Sequence, residues 1–295
     1  MKPKLLALAL LLSLCGWLFA QQPQTAVKHD RITSRVSVLD GGCSITLFES
    51  ETGPVIVDSG NPEPATSVQS AIREIDSRPT AAVILTHYHG DHVGGLSVLA
   101  AGAPLYAHEN CLASFRKQNA KASEAVLSKV AKVVPYSESQ TKLQIGKDEL
   151  LLLHPAHAHS SGDTVVIFEK EKVISAGDLF FNGVPPYIDV ADGADTAIWA
   201  ETIESLAKQY PGYKVVPGHG PVSDTDGWLK MAAYLRALRQ GVAEAIKAGQ
   251  TREQAQASVN LEAFSWIQDW GNMLTKKANI GWVYDELKKK QDGNN

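Results

Sequence analysis

One junction constrains the fold more than any other. Ala81-Ala-Val-Ile-Leu-Thr86 is an unbroken apolar run, and it leads directly into His87-Tyr-His-Gly-Asp-His92. A short apolar run without polar alternation reads as a strand buried on both faces, which requires a sheet covered by helices. The run ends in four metal-ligand-type side chains within six residues. Alternate residues of extended chain point the same way, so His87 and His89 can converge on one ion. Gly90 then lets the chain turn and carries Asp91 and His92 toward a second position. Imidazoles and carboxylates at this spacing suit zinc or another borderline divalent metal.

Three later positions also follow strand-like segments. They are His159 in Ala158-His-Ser-Ser-Gly-Asp163, Asp178 in Ser175-Ala-Gly-Asp-Leu179, and His219 in Val215-Val-Pro-Gly-His-Gly220. Each alone is weak. With the first four they make seven candidate ligands, enough for two ions with positions left for water. His157 shares its parity with His159 and is the alternative ligand there. His29 and His108 have no motif around them and read as surface or structural.

The rest of the chain agrees with an α/β organisation. Strand signals fall at Arg35–Leu39, Cys43–Phe48, Pro54–Asp58, Pro104–Ala107, Leu143–Leu153, Thr164–Glu169, Lys172–Ser175 and Lys214–Val216. Helical spacing appears over Ala65–Ser77, from about Val93 to Ala101, over Asn110–Lys129 and over Thr196–Gln209. From Asp224 the character changes to amphipathic helix, with Trp228, Met231, Leu235 and Leu238 as a stripe. Ala255–Leu287 reads as helical and aromatic, its rings taken as core packing. The polar end, Lys288–Asn295, is expected to fray.

Composition removes whole classes of function. The chain is 44% hydrophobic and 20% charged, which excludes a disordered or low-complexity protein. Met1–Ala20, with Lys2 and Lys4 before an apolar run, reads as a secretory signal peptide, with a retained N-terminal anchor or lipoprotein as the other reading. Its loss would take the formal net charge from −4 to −6, which argues against a nucleic-acid partner. The expected location is periplasmic or secreted, with no stable membrane span after signal removal. Export would permit a disulfide between Cys43 and Cys111, and two small buried hydrophobes is the other reading.

The ordered set His-x-His-x-Asp-His, His before Ser-x-Gly-Asp, Gly-Asp and Gly-His-Gly resembles the metallo-beta-lactamase fold superfamily, over about Arg35 to Pro221. The resemblance implies a four-layer αββα sandwich, an α/β fold, at residues 30–223, with a C-terminal helical extension at 224–290 packed on the same domain. It implies a first zinc on His87, His89 and His159, a second on Asp91, His92 and His219, and Asp178 bridging both. Asp58 in Val-Asp-Ser-Gly matches the family's early acidic motif and is expected to fix the histidine-bearing loop. Asp91 and Asp178 would then be the catalytic carboxylates, orienting a metal-bridging hydroxide for attack on a carbonyl-type bond of a small molecule.

Dedicated lactamases of the superfamily usually carry Cys or Ser where Asp178 stands. The Asp resembles glyoxalase II-like members. The stretch Gly177–Asp189 is similar to exported metallohydrolases of the quinoprotein-relay type. Lactam hydrolysis therefore stands as the alternative to ester, thioester, lactone or amide hydrolysis. A flavodiiron-type oxidoreductase would have Glu at the place of His89. The segment Leu179–Asp192, with Phe180, Phe181, Pro185, Pro186 and Tyr187, is expected to overhang the metals as a stiff apolar loop, with core packing as the other reading for each Phe.

Overall fold

The computed structural model describes residues 27–118 and 120–293. The expected signal segment at 1–20 lies outside them. Two sheets form back to back. The first holds seven strands in chain order: β1 (His29–Arg31), β2 (Val36–Asp40), β3 (Ser44–Ser50), β4 (Gly53–Val57), β5 (Ala82–Ile84), β6 (Pro104–His108) and β7 (Lys132–Tyr136). Pairing is antiparallel through β4 and parallel from β4 to β7. The second holds β8 (Gln140–Ile145), β9 (Asp148–Leu153), β10 (Val165–Phe168), β11 (Val173–Phe181), β12 (Lys214–His219) and β13 (Ser223–Asp224), in the spatial order β13-β12-β11-β10-β9-β8. Within it only β11 and β12 run parallel.

Helices cover both outer faces, giving the αββα layering. Over the first sheet lie α1 (Ala65–Ile75), α2 (Gly90–Val93), α3 (Leu96–Leu99), α4 (Glu109–Gln118) and α5 (Ala120–Leu127). Over the second lie α6 (Thr196–Gln209), α7 (Thr225–Lys247), α8 (Arg252–Ser258) and α9 (Lys276–Gly293). The core divides accordingly into three apolar layers. Val55, Val57, Ala82 and Ile84 of the first sheet meet Leu150, Leu152, Val166 and Phe168 of the second. The residues of opposite parity turn outward. Ile56 and Val83 pack under Val68, Ile72 and Leu96, while Leu151, Val165 and Ile167 pack under Trp199, Ile203 and Trp228. Period-two alternation between two buried faces is why these strands read as continuous apolar runs.

Several sequence expectations need correction. Leu143–Leu153 is strand as expected, divided into the hairpin β8–β9 that turns at Gly146-Lys147. The helix expected from Val93 starts at Gly90 and breaks after Val93, because the Gly95 amide leaves the helical pattern to donate to the Gly60 carbonyl. Strand β7 lacks a strand signal in the sequence because it carries a proline, Pro135. At a sheet edge the missing N–H costs no ladder bond. The strand expected over Lys172–Ser175 runs on to Phe181, so Leu179–Phe181 is strand rather than overhanging loop, and Phe180 is core against Trp228. Ala255–Leu287 is not one helix. Between α8 and α9 lies a largely irregular segment, Val259–Thr275, and α9 runs to Gly293, into the stretch expected to fray. Cys43 and Cys111 are separate buried thiols.

Candidate metal centre

The site lies where the parallel strands end, the place at which open α/β sheets leave a crevice for ligands. After β5 the chain carries His87 and His89 past the sheet edge, and α2 then presents Asp91 and His92. Asp178 lies within β11, beside the end of β12 that bears His219. His159 comes from the β9–β10 connection. Its turn is held by Asp163, which accepts from the backbone N–H of His159 at 2.7 Å and of Ser160 at 2.9 Å. The same connection is tied to the histidine turn by the Thr164 amide, which donates to the Thr86 carbonyl at 2.7 Å.

Two glycines let these elements come so close. Gly177 has φ +52°, and a Cβ there would lie 2.5 Å from the Thr86 side chain. A Cβ on Gly218 would lie 1.9 Å from Asp178 Oδ1, on top of the carboxylate itself. The Gly-Asp and Gly-His pairs are therefore conditions for packing β11, β12 and the histidine turn together.

All seven predicted side chains converge, and they sort into two sets. In the first, His87 Nε2 and His159 Nε2 lie 2.9 and 3.1 Å from His89 Nδ1, and each lies 3.6 Å from Asp178 Oδ2. In the second, His92 Nε2 and His219 Nε2 lie 3.1 and 3.4 Å from Asp178 Oδ1, and His219 Nε2 lies 3.1 Å from Asp91 Oδ2. Asp178 thus turns one oxygen to each set. His157 is solvent-exposed and outside both sets, which separates it from His159. His29 is exposed on β1, and His108 is buried in a ring stack with His154.

The far sides of the imidazoles decide their tautomers. His92 Nδ1–H donates to Asp58 Oδ2 at 2.8 Å. The Thr86 hydroxyl also donates to Asp58 Oδ2, at 2.7 Å, and so accepts from His87 Nδ1–H at 3.0 Å. His159 Nδ1–H donates to the Tyr187 carbonyl at 3.0 Å, and His89 Nε2–H to Asp189 Oδ2 at 3.0 Å. The carboxylates and the carbonyl can only accept, and the Thr86 hydroxyl has its own proton committed to Asp58, so the site-facing nitrogens of His87, His89 and His159 carry lone pairs. Lone pairs about 3 Å apart repel. Asp58, Asp189, Thr86 and Tyr187 thus orient the rings from behind, as partners of ligating histidines do.

Electrostatics point the same way. Burial holds His87 well below the usual histidine range and His159 down to about 4, keeping both rings neutral. Burial opposes the charge on Asp178, but the neighbouring imidazoles, His92 foremost, outweigh it and hold the carboxyl well below its ordinary range. Burial also opposes a charge on His92, yet its position is raised well above the ordinary value. We assign this to Asp178 and Asp58, because burial pushes the neighbouring Cys43 thiol up to about 11 and leaves it neutral. The pocket therefore favours positive charge at the point where His92 Nε2 and Asp178 Oδ1 meet. Both atoms are buried, and neither has a hydrogen-bond partner. Unpartnered buried polar atoms are costly. Convergent lone pairs, orphaned atoms and an imidazole–carboxylate donor set fit a pair of divalent cations, and both sets are geometrically able to hold an ion.

Sequence reasoning missed Asp189, Tyr88 and the second face of the cavity. Asp189 closes the Gly177–Asp189 stretch with no local pattern to mark it, yet it accepts from both His89 and the Tyr88 hydroxyl. Above the centre opens a cavity of about 810 Å³, with Phe181, Tyr187, His219 and Trp270 among its walls. No helix among the described residues is long and apolar enough to cross a membrane.

The family model of the Metallo-beta-lactamase superfamily matches residues 38–219. The chain is similar to the metallo-beta-lactamase type 2 of Bacillus cereus, 27% identical over 189 residues covering 60% of this chain and 67% of that one. It is similar to the 2,4-dinitroanisole O-demethylase subunit alpha of Nocardioides sp. (strain JS1661), 26% identical over 231 residues, 74% of this chain and 68% of that one. In structure it resembles a sec-alkylsulfatase from Pseudomonas sp., with TM-score 0.71 and 16% identity, covering 91% of this chain and 51% of that one. The chain thus spans about two thirds of these curated relatives and about half of the sulfatase.

Proposed function

The chain belongs to the metallo-beta-lactamase superfamily, and from that premise we propose that it is a dinuclear-metal hydrolase, zinc-dependent, acting on a carbonyl-type bond of a small molecule. The observation that carries this reading is the Asp178 carboxylate, with Oδ2 3.6 Å from two imidazole nitrogens of one set and Oδ1 3.1 and 3.4 Å from two of the other.

His87, His89 and His159 would hold one ion, and Asp91, His92 and His219 the other, with Asp178 shared. Zinc ions so held supply Lewis acidity and bring the pKa of a bound water to about 7. Asp178, at the cavity floor, sets the spacing of the two sets and offsets their charge. Asp91 is a third exposed and faces the cavity, so its free carboxylate oxygen can orient the attacking water and take its proton. Asp58 and Asp189 hold His92 and His89 in the tautomers that present lone pairs. No serine or cysteine nucleophile is required.

Lactam hydrolysis is a second reading, favoured by the likeness to the Bacillus cereus enzyme. Export to the periplasm or medium is proposed from the sequence of residues 1–20 alone.

The test is metal analysis of the purified protein together with hydrolysis of ester, thioester, lactone and chromogenic cephalosporin substrates, with and without chelator. Two equivalents of zinc and chelator-sensitive turnover of an acyl substrate are expected. Cephalosporin turnover above the others would establish the second reading. Chelator-insensitive turnover, or no bound metal, would overturn the proposal. N-terminal sequencing of the same preparation, expected to begin at Gln21, tests export.

A further inference from the structure

The segment between α8 and α9 turns back on itself as a clip. The Trp270 amide donates to the Leu274 carbonyl at 2.8 Å, and the two residues form an isolated β-bridge around Gly271-Asn-Met273. The clip is anchored below. Ile267 and Leu274 are buried, the Gln268 amide donates to the Gly183 carbonyl at 2.8 Å, and Lys276 Nζ donates to the Ile267 carbonyl at 2.6 Å. Its tip is different. Trp270 is 52% and Met273 62% exposed, two of the three large hydrophobics exposed among the described residues. Both line the cavity over the metal centre.

Leaving large apolar side chains in water forfeits burial energy, and an anchored clip that holds them at a cavity rim marks a surface meant to be covered. Trp270 lies 5.6 Å from the His219 ring, whose inner face stacks on Phe181 at 5.0 Å. Tyr187 forms part of the lining near the other set, 5.3 Å from His89. The polar groups that share the lining away from the centre are neutral amides such as Asn61 and Gln118, and none of the described lining residues is Lys or Arg. An anionic group remote from the reacting bond would find no cationic side chain there.

We propose that the Trp270–Met273 clip grips the substrate, and that the group carried beyond the reacting bond is an uncharged aromatic ring or alkyl chain. This rests on the hydrolase reading and names the substrate class for that same centre. The clip sets specificity through contact with the non-reacting part of the substrate.

The test uses the metal-loaded protein and two readouts. The first is KM and kcat for 4-nitrophenyl butanoate, hexanoate and octanoate, with the hexanediate half-ester as a carboxylate-tipped match to the hexanoate. The second is calorimetric binding of 2-acetylnaphthalene, a neutral ketone that is not hydrolysed. In the wild type KM should fall about fourfold per buried methylene, and the hexanoate should be preferred to the half-ester by kcat/KM. Trp270→Ala and Met273→Ala should flatten the chain-length trend and weaken ketone binding about tenfold, whereas Trp270→Phe should retain most of it. Ketone binding indifferent to both alanine variants, or a preference for the half-ester, would overturn the proposal. Absence of any ester turnover would instead count against the hydrolase reading, and the calorimetric readout would still judge the clip. The exposure of both side chains makes misfolding of these variants an unsuitable explanation of the result.

Discussion

Asn279 Nδ2 donates to the Pro186 carbonyl at 2.6 Å, joining the C-terminal helix α9 to the segment that orients a histidine of the centre. Asn279 is fully buried, and its Oδ1 accepts from the Tyr234 hydroxyl of α7 at 2.8 Å. The next residue, Tyr187, accepts from His159 Nδ1–H through its own carbonyl. Two helices outside the motif-bearing region thereby hold one imidazole in register.

Asn279→Ala should therefore act on metal binding as well as on stability. It leaves the Tyr234 hydroxyl and the Pro186 carbonyl buried without their partner, at a cost of about 1–3 kcal/mol. Loosening of Tyr187 should lower zinc affinity about tenfold, near the small end of the range for residues supporting ligands. Competition with a chromophoric chelator measures it. A stability loss with wild-type zinc affinity would refute the coupling.

Asp58 supports the centre from the opposite side. It accepts from the Thr86 amide at 2.8 Å, the Thr86 hydroxyl and His92, and its backbone sits at φ +64°, where Asn is tolerated and most side chains are not. Asp58→Asn should keep the fold while weakening zinc binding about 10–100-fold. Asp58→Ala should add a loss of stability, because it meets the same backbone strain without the side-chain bonds. Calorimetric zinc titration and thermal unfolding of the two variants separate these effects. Equal zinc affinity in wild type and Asp58→Asn would contradict the role assigned to Asp58.

A pH effect is expected away from the metal centre. His108 stacks on His154 with ring centroids 3.5 Å apart and lies 5.3 Å from Tyr136. Burial and then the neighbouring His154 lower His108 to about 4, against the smaller opposing influences of a hydrogen bond to the Ser137 backbone and of Glu138. An unfolded histidine titrates near about 6.5. Between those values the unfolded chain binds a proton that the folded one refuses, so stability falls as pH drops from about 6.5 toward 4 and is fully recovered above 6.5. The urea midpoint at pH 5 should thus lie below that at pH 7, and His108→Phe should narrow the gap while keeping the ring stack. An unchanged gap in that variant would show that His108 does not titrate as described.

Much of this was legible along the chain, for reasons that particular residues make plain. Ala81–Thr86 is apolar on both parities because β5 faces the other sheet on one side and α1 and α3 on the other. His87 and His89 are two residues apart, so local geometry alone aims them together. The Gly-Asp and Gly-His pairs also announced themselves, since the glycines are demanded by the close approach of β11, β12 and Thr86.

Other features had no local signal. His157 and His159 share a parity, and only the fold leaves the first in solvent and carries the second to within 3.1 Å of His89. Asp189, Asn279 and Trp270 lie 100 or more residues from His89 or in a stretch that read as plain helix, and their roles arise from contacts between distant segments. Periodicity and spacing report what a residue does to its immediate neighbours along the backbone. Hydrogen bonds from behind an imidazole, and an apolar wall across a cavity, depend on where chain closure places groups that no short-range pattern connects. The sequence by itself therefore determined the layers and the candidate ligands, and the tertiary structure decided which rings point where and what faces them.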